Sequence, residues 1–244
     1  MSAEMAKIVG LETGKDETYY SHVRYDIKPL LPANATQIMD VGCGEGLTAA
    51  WLKQRYKGAK VIGVEGNAEL RDGLRRKLDE VHIIDLNKGL PDVRGNDLIL
   101  FLDVLEHLPD PLRVLKQAKE LLADGGKVIV SVPNIATLWV SGRLFWKGEF
   151  KYGNSGILDR THMRFFVRKS LEEMMTAAGF VVVSGMYSGM FSRRQRLLNF
   201  MTFGMMANRI ARQLIAVGMK IPAAQGSTKW IICEKSQQGT KTGH

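Results

Sequence analysis

The sequence predicts an α/β protein built on a doubly wound, mostly parallel, Rossmann-like sheet. Three observations point there. Short β-branched runs alternate with helical patterns, as in a parallel sheet made of βαβ units. An apolar run, Ile38-Met39-Asp40-Val41, opens directly into Gly42-Cys43-Gly44-Glu45-Gly46. A second apolar run, Val61-Ile62-Gly63-Val64, closes on Glu65. In an open α/β sheet such a turn and such an acid lie at the carboxyl ends of neighbouring strands, where an adenosine-containing cofactor is held.

Strands are expected at roughly 37–42, 60–65, 81–85, 97–102 and 126–132, with later ones near 180–184 and 229–234, which makes a seven-stranded sheet. Helices fit roughly 46–56, 68–78, 111–123 and 168–178. The third of these opens with Pro111 and stops at Asp124-Gly125-Gly126, as helix start and stop chemistry requires. Two segments break the alternation. Asn134 to Phe166 is rich in aromatic and basic residues, and about 185–227 separates the last two expected strands. Loops of such length in a compact domain are usually lids or binding elements.

The chain has 244 residues, 45% hydrophobic and 24% charged, which suits one soluble domain with material for an insertion. The expected organisation is a single domain over 1–244. Within it lie a cofactor core at 36–184, a substrate loop at 134–166, a basic helical insertion at 185–227, and the last strand and tail at 228–244. Cys43 and Cys233 form no metal-ligand spacing, so a reduced, cytoplasmic setting is the simplest reading and no metal is expected. No signal peptide and no run of about 18 uncharged apolar residues is evident. The formal net charge is +9, and no acidic residue occurs between Glu173 and Glu234. That interval holds Arg193, Arg194, Arg196, Arg209, Arg212, Lys220 and Lys229. It is either a solvated basic face or a surface for an anionic partner.

The glycines alone could mark any sharp turn. Their context is more specific, because a dinucleotide site wants G-x-G-x-x-G and here that last position is Leu47, the third glycine being Gly46. An acid at Asp40 is foreign to a pyrophosphate site and suits a ligand with a cationic end. The stretch Asp40 to Gly46 resembles the first motif of class I S-adenosylmethionine-dependent methyltransferases. The likeness covers roughly 36–184 and continues through Asp85-Leu86-Asn87, through Asp97 to Leu108, and through Leu121-Leu122-Ala123-Asp124-Gly125-Gly126.

The resemblance implies the class I fold with S-adenosyl-L-methionine as cofactor. It implies that Gly42, Gly44 and Gly46 let backbone approach the methionine moiety and that Asp40 helps hold its amino end. Glu65 would accept from both ribose hydroxyls, Asp85 and Leu86 would flank the adenine, and Phe101 to Asp103 would line the floor near the sulfonium. Asp85 could equally form a strand-end Asx turn, and Asp103 could cap the short helix at Leu105–Leu108.

Methyl transfer needs alignment, plus a base where the acceptor is a hydroxyl. The base candidates are His107, His162 and Asp159. The stretch Asp159-Arg160-Thr161-His162-Met163-Arg164-Phe165-Phe166 resembles an Asp-x-Thr-His-x-Arg-Phe-Phe segment of small methyltransferases linked to bacterial surface-glycan and related pathways. It would supply a base, with Arg160 or Arg164 holding an anionic acceptor, or it would lock the loop onto the domain. Thr18 to His22 could fold over the cofactor.

Within 193–221, Phe200, Phe203, Ala207, Ile210, Leu214, Val217 and Ile221 recur at three- and four-residue steps, an apolar helical stripe ended by Pro222. Such a basic, Met-rich helix could pack on its own domain, touch a membrane surface peripherally, cover the substrate or form a homodimer contact. The expected function is transfer of a methyl group to a small-molecule, sugar or lipid-linked acceptor, at oxygen. The alternatives are an RNA methyltransferase, although no separate RNA-binding module is evident and nucleic acid is not the expected partner, or a catalytically silent partner subunit.

Overall fold

The computed structural model describes residues 22–188, 212–220 and 229–232. The strands are β1 (Gln37–Val41), β2 (Lys60–Glu65), β3 (Glu80–Ile83), β4 (Asn96–Leu102), β5 (Leu122–Pro133), β6 (Val181–Ser188), β7 (Gln213–Met219) and β8 (Lys229–Ile232). Between them lie α1 (Leu47–Arg55), α2 (Arg71–Arg75), α3 (Pro111–Leu121), α4 (Leu138–Lys147) and α5 (Arg168–Ala177). The strands form one sheet in the order β3-β2-β1-β4-β5-β7-β6-β8. Strands β1 to β5 pair in parallel, and β7 runs antiparallel between β5 and β6. The seven strands of the expected fold are therefore present, and β8 extends the edge by pairing parallel to β6.

Alternation along each strand divides the core between the two faces. Met39, Val41, Ile99, Phe101, Val128, Val130, Leu214 and Ala216 point to the face covered by α3 and α5. Ile38, Val61, Leu98, Leu100, Ile129, Ile215 and Val217 point to the face covered by α1 and Leu74 of α2. Helix α3 follows its start signals: Asp110 accepts a hydrogen bond from the Arg113 N–H at 3.0 Å, and Pro111 occupies the first turn.

Two expectations are corrected. The stripe through Leu214 and Val217 belongs to a strand, because Leu214-Ile215-Ala216-Val217 is apolar at every step and is buried on both faces of the sheet. Gly218 sits where a Cβ would lie 2.9 Å from both Met175 Cε and Phe180 Cβ, so α5 and the chain after it press directly on this strand. Strand 213–219 is thus an addition to those expected, while the strand expected near 229–234 is present as β8. The span between β6 and β7 is 189–212, shorter than the 185–227 insertion expected. Its basic residues Arg193, Arg194, Arg196 and Arg209, with Phe200, Phe203, Ala207 and Ile210, lie outside the described residues, as do Ile221, Pro222 and Cys233. A membrane-surface helix running through 193–221 is excluded over 213–219, which is an inner strand.

The second correction lies in 134–166, which contains a helix, α4. Thr137 caps its start by accepting from the Val140 N–H at 3.4 Å, and Gly148 ends it with φ +61°. Among the described residues, no helix is long and apolar enough to cross a membrane.

The strand assignment has a direct test. Ile215→Ala is expected to lower unfolding stability in urea by about 2–4 kcal/mol, since it empties a buried site on one sheet face. A surface helix carrying only Leu214 and Val217 inward would lose less than about 1 kcal/mol from the same change.

Candidate active site

Strands β1, β2 and β4 end side by side, Val41 pairing with Val64 and with Phe101. Chain leaving β1 must turn at once, and it does so through Gly42, Gly44 and Gly46 at φ +69°, +53° and +73°. Residues with a Cβ are strained in that region. At Gly42 a Cβ would also lie 2.5 Å from Val104 Cγ2, so the turn packs directly against the segment that follows β4.

Glu65, at the end of β2, ties the turn down. Its Oε2 accepts the Gly44 N–H at 2.8 Å, and its Oε1 accepts the N–H groups of Gly66 and Asn67 at 2.8 and 3.0 Å. A carboxylate oxygen accepts two hydrogen bonds, so Oε2 keeps capacity for a ribose hydroxyl. Asp40 lies beneath the turn, 2% exposed. Burial, then the neighbouring Glu65, push its carboxyl up to about 7, with Arg24 partly opposing. A cationic group above the turn would stabilise its ionised form.

The floor beyond β4 holds a network that the sequence reading did not find. Asp103 takes φ +61°, its N–H donates to the Ser131 carbonyl at 3.0 Å, and its Oδ2 accepts from Arg24 Nη1 at 2.5 Å. Arg24 also donates to Asp26 through Nε at 3.0 Å and to Ser131 Oγ through Nη2 at 2.8 Å. Burial opposes this guanidinium's charge, but Asp103 and Asp26 more than offset it and hold the pKa up. Ser188 Oγ donates to Asp26 at 2.8 Å, and Ser131 Oγ to Gln213 at 3.1 Å, linking the network to β6 and β7. Its members are far apart in sequence and carry no motif, which is why they escaped notice.

Among the remaining cofactor candidates, Asp85 forms the Asx turn, its Oδ1 accepting the Asn87 N–H at 2.9 Å, and Leu86 packs partly buried against the core. The Phe101 side chain is fully buried in the core beneath the site, so β4 can line the floor there only with backbone. Asp103 does not cap the short helix Leu105–His107, which begins after Val104 without a side-chain cap. Thr18 to Ser21 lie outside the described residues. The His22 carbonyl accepts from Thr48 Oγ1 at 3.5 Å, and Thr48 Oγ1 accepts the Arg24 N–H at 3.1 Å, so the chain entering the domain is tied to the first turn of α1.

The 159–166 segment closes against the helix Leu105–His107. The Glu106 carbonyl accepts the N–H groups of Met163 and Arg164 at 2.8 and 3.1 Å. Arg164 donates to the Pro109 carbonyl at 2.5 Å, which fastens the segment as the loop-locking reading expects. Asp159 is buried, and its Oδ1 accepts both the N–H and the hydroxyl of Thr161, at 2.8 and 2.7 Å. These contacts match the loop-organising reading of Asp159. His107 and His162 meet with ring centroids 4.8 Å apart. The Nδ1 of His107 faces the Thr161 carbonyl at 3.2 Å, and the Nδ1 of His162 faces the Ile157 carbonyl at 3.0 Å. A carbonyl oxygen can only accept, so each Nδ1 carries a proton that orients its ring. Ligand atoms of Glu106, His107 and His162 lie within 4.8 Å of one another, a donor set able to hold a divalent cation. The sequence expectation of no metal rested on local spacing, which cannot register this convergence of 106–107 with 162.

Comparison with known proteins identifies the family. Residues 18–185 match the Methyltransferase domain family. The chain belongs to that family, and its fold is the class I S-adenosylmethionine-dependent one. It is 31% identical over 102 residues to a trans-aconitate 2-methyltransferase of Afipia carboxidovorans, covering 41% of this chain and 40% of that protein. It is 30% identical over 114 residues to a ubiquinone biosynthesis O-methyltransferase of Coxiella burnetii, covering 44% and 48%. The chain thus spans less than half the length of these two relatives. A crystal structure of a SAM-dependent methyltransferase from Archaeoglobus fulgidus superposes with a TM-score of 0.58 at 18% identity, covering 84% of this chain and 94% of that one. S-adenosylmethionine is the cofactor the family implies, and a buried acid under a left-handed glycine turn, beside a carboxylate with spare acceptor capacity, fits it.

The raised Asp40 pKa predicts two pH effects. Between the usual carboxylate range and about 7 the folded protein keeps a proton that the unfolded chain has lost, so stability falls as pH rises through that window and then levels off. Asp40→Asn is expected to raise the melting temperature more at about pH 8 than at about pH 4. Cofactor binding near neutral pH should release protons from the wild type and fewer from the variant, as titration calorimetry in buffers of different ionisation enthalpy would show. Equal release from both would exclude Asp40 as the responding group.

Proposed function

We propose that this chain transfers a methyl group from S-adenosylmethionine to an oxygen of a small-molecule, sugar or lipid-linked acceptor, with His107 and His162 receiving the acceptor's proton. The observation that carries the reading is the pairing of the two imidazoles, each oriented by a carbonyl at Nδ1, at the rim that follows Asp103. The O-methyltransferase names of the ubiquinone-biosynthesis relatives support oxygen as the acceptor atom. The likeness of Asp159 to Phe166 to glycan-linked methyltransferases supports a sugar-bearing acceptor.

When bound, the cofactor supplies an electrophilic methyl group for an in-line displacement. The chain's own part is to bind, align and deprotonate. The glycine turn admits the methionine end to backbone contact, Glu65 accepts from the ribose, and Asp40 biases the pocket toward a cation. Asp159 and Arg164 act as positioning residues, fixing the loop that carries His162 against the helix that carries His107. With Nδ1 held by a carbonyl, either histidine would take a hydroxyl proton at Nε2 when that nitrogen is unprotonated.

Against an acceptor panel read by S-adenosylhomocysteine release, His162→Gln and His107→Gln are each expected to lower turnover by about 10²- to 10⁴-fold. The thermal shift given by S-adenosylmethionine should remain, whereas Glu65→Ala should abolish it. Undiminished turnover in both histidine variants would overturn the base assignment. Turnover that survives dialysis against a chelator leaves the histidines as the bases, and loss restored by a divalent cation assigns the Glu106 trio to that ion instead.

A further inference from the structure

Helix α4 carries a surface that methyl transfer does not explain. Only Val140 of its residues is buried. Phe145 and Trp146 are 79% and 81% exposed, Trp139 is 57% exposed, and Leu138 and Leu144 are exposed beside them. Phe150 and Tyr152 follow, stacked edge to face at 5.5 Å. Single exposed apolar residues need no explanation, but a run of this size marks an interaction surface. Whole aromatic rings held in water are costly, and α4 is well enough capped that their placement is set by the backbone and not by fraying.

The charges around the patch identify its partner. From 138 to 170 the chain carries seven basic residues, Arg143, Lys147, Lys151, Arg160, Arg164, Arg168 and Lys169, against two acids. Neither acid opposes an anionic surface. Glu149 is paired with Arg143 at 2.9 Å and with Lys151 at 3.2 Å, and Asp159 is buried in the loop. Arg143 also lies over the Trp139 ring at 5.1 Å. Exposed Trp, Phe and Tyr interleaved with Lys and Arg on one short helix match the two layers of a bilayer interface. The rings suit the headgroup boundary and the cations suit acidic lipid phosphates.

We propose that α4 and the following Phe150–Tyr152 turn form a docking surface for an anionic phospholipid bilayer. The aromatic run continues inward from this surface. Phe150 meets Phe165 at 5.5 Å, and Phe165 meets His162 at 6.5 Å, so the docked face adjoins the histidine pair. The surface stands on exposure and charge alone and does not depend on which acceptor is methylated. It also differs from the 193–221 stripe expected from periodicity.

Sedimentation of the full chain with vesicles is the test, using equal parts phosphatidylglycerol and phosphatidylcholine against phosphatidylcholine alone. The wild type is expected to sediment with the anionic vesicles and to be released by salt. Phe145→Glu/Trp146→Glu should weaken binding by about tenfold or more while keeping the S-adenosylmethionine thermal shift, which certifies folding and reads no acceptor chemistry. Quenching of Trp fluorescence by brominated lipid should drop in Trp146→Phe. A wild type that stays in the supernatant at low salt overturns the proposal. So does a double variant that binds equally, which would move docking elsewhere on the chain. A wild-type dimer that the double variant converts to monomer, without vesicle binding in either, would assign the patch to a second copy instead.

Discussion

The carboxylate of Glu65 is the constraint on which the site depends. Parallel pairing brings the ends of β1 and β2 together but leaves the N–H groups of two successive turns without strand partners. One side chain satisfies three of them, those of Gly44, Gly66 and Asn67. This crosslink holds the turn after β1 against the turn after β2, and it fixes a negative charge close to the buried Asp40. That placement adds to the rise in the Asp40 pKa, whose larger cause is burial, and leaves acceptor capacity at Oε2 beside the left-handed glycines. A residue without two acceptor oxygens could close one turn or the other, but not both.

What the sequence reveals divides along the same line. Asp40, the three glycines and Glu65 were legible because local chain geometry forces them: a strand end, an immediate turn and an acid at the next strand end leave few residue choices. The β1 to β6 alternation was legible for the same reason. Strand β7 was not, because four consecutive apolar residues satisfy a helical stripe and a strand buried on both faces equally well. Only the sheet, by providing a gap between β5 and β6, decides between them. Helix α4 was legible in principle, with Thr137 and Gly148 at its ends. Its apolar residues face outward, however, so no amphipathic pattern pointed to a core-facing helix.

The network of Arg24, Asp26, Asp103 and Ser131 illustrates a harder limit. Each residue is ordinary in its own segment, and only the convergence of the chain entering the domain with the ends of β4 and β5 gives them a shared role. The same holds for Glu106, His107 and His162. Residue 107 could be placed at the rim from its distance past β4, and His162 could be marked as unusual. Nothing short of the folded loop shows that Glu106 receives the backbone of 163 and 164 and so brings the two rings together. Asp159 shows the reverse case, a conspicuous acid whose geometry makes it an organiser of the loop.

The charges of the floor also answer a question set by the chemistry. A strongly anionic pocket would bind a sulfonium tightly, yet it would favour the charged ground state over a transition state in which that charge is dispersing, and so raise the barrier. This floor is moderated in two ways. Arg24 sits between Asp103 and Asp26 and offsets one of their two negative charges. Asp40, its carboxyl pushed up to about 7 by burial and then by Glu65, is partly protonated at neutral pH and carries less than a full negative charge. Burial of Asp40 beneath the turn, with Glu65 beside it, is what holds that charge back.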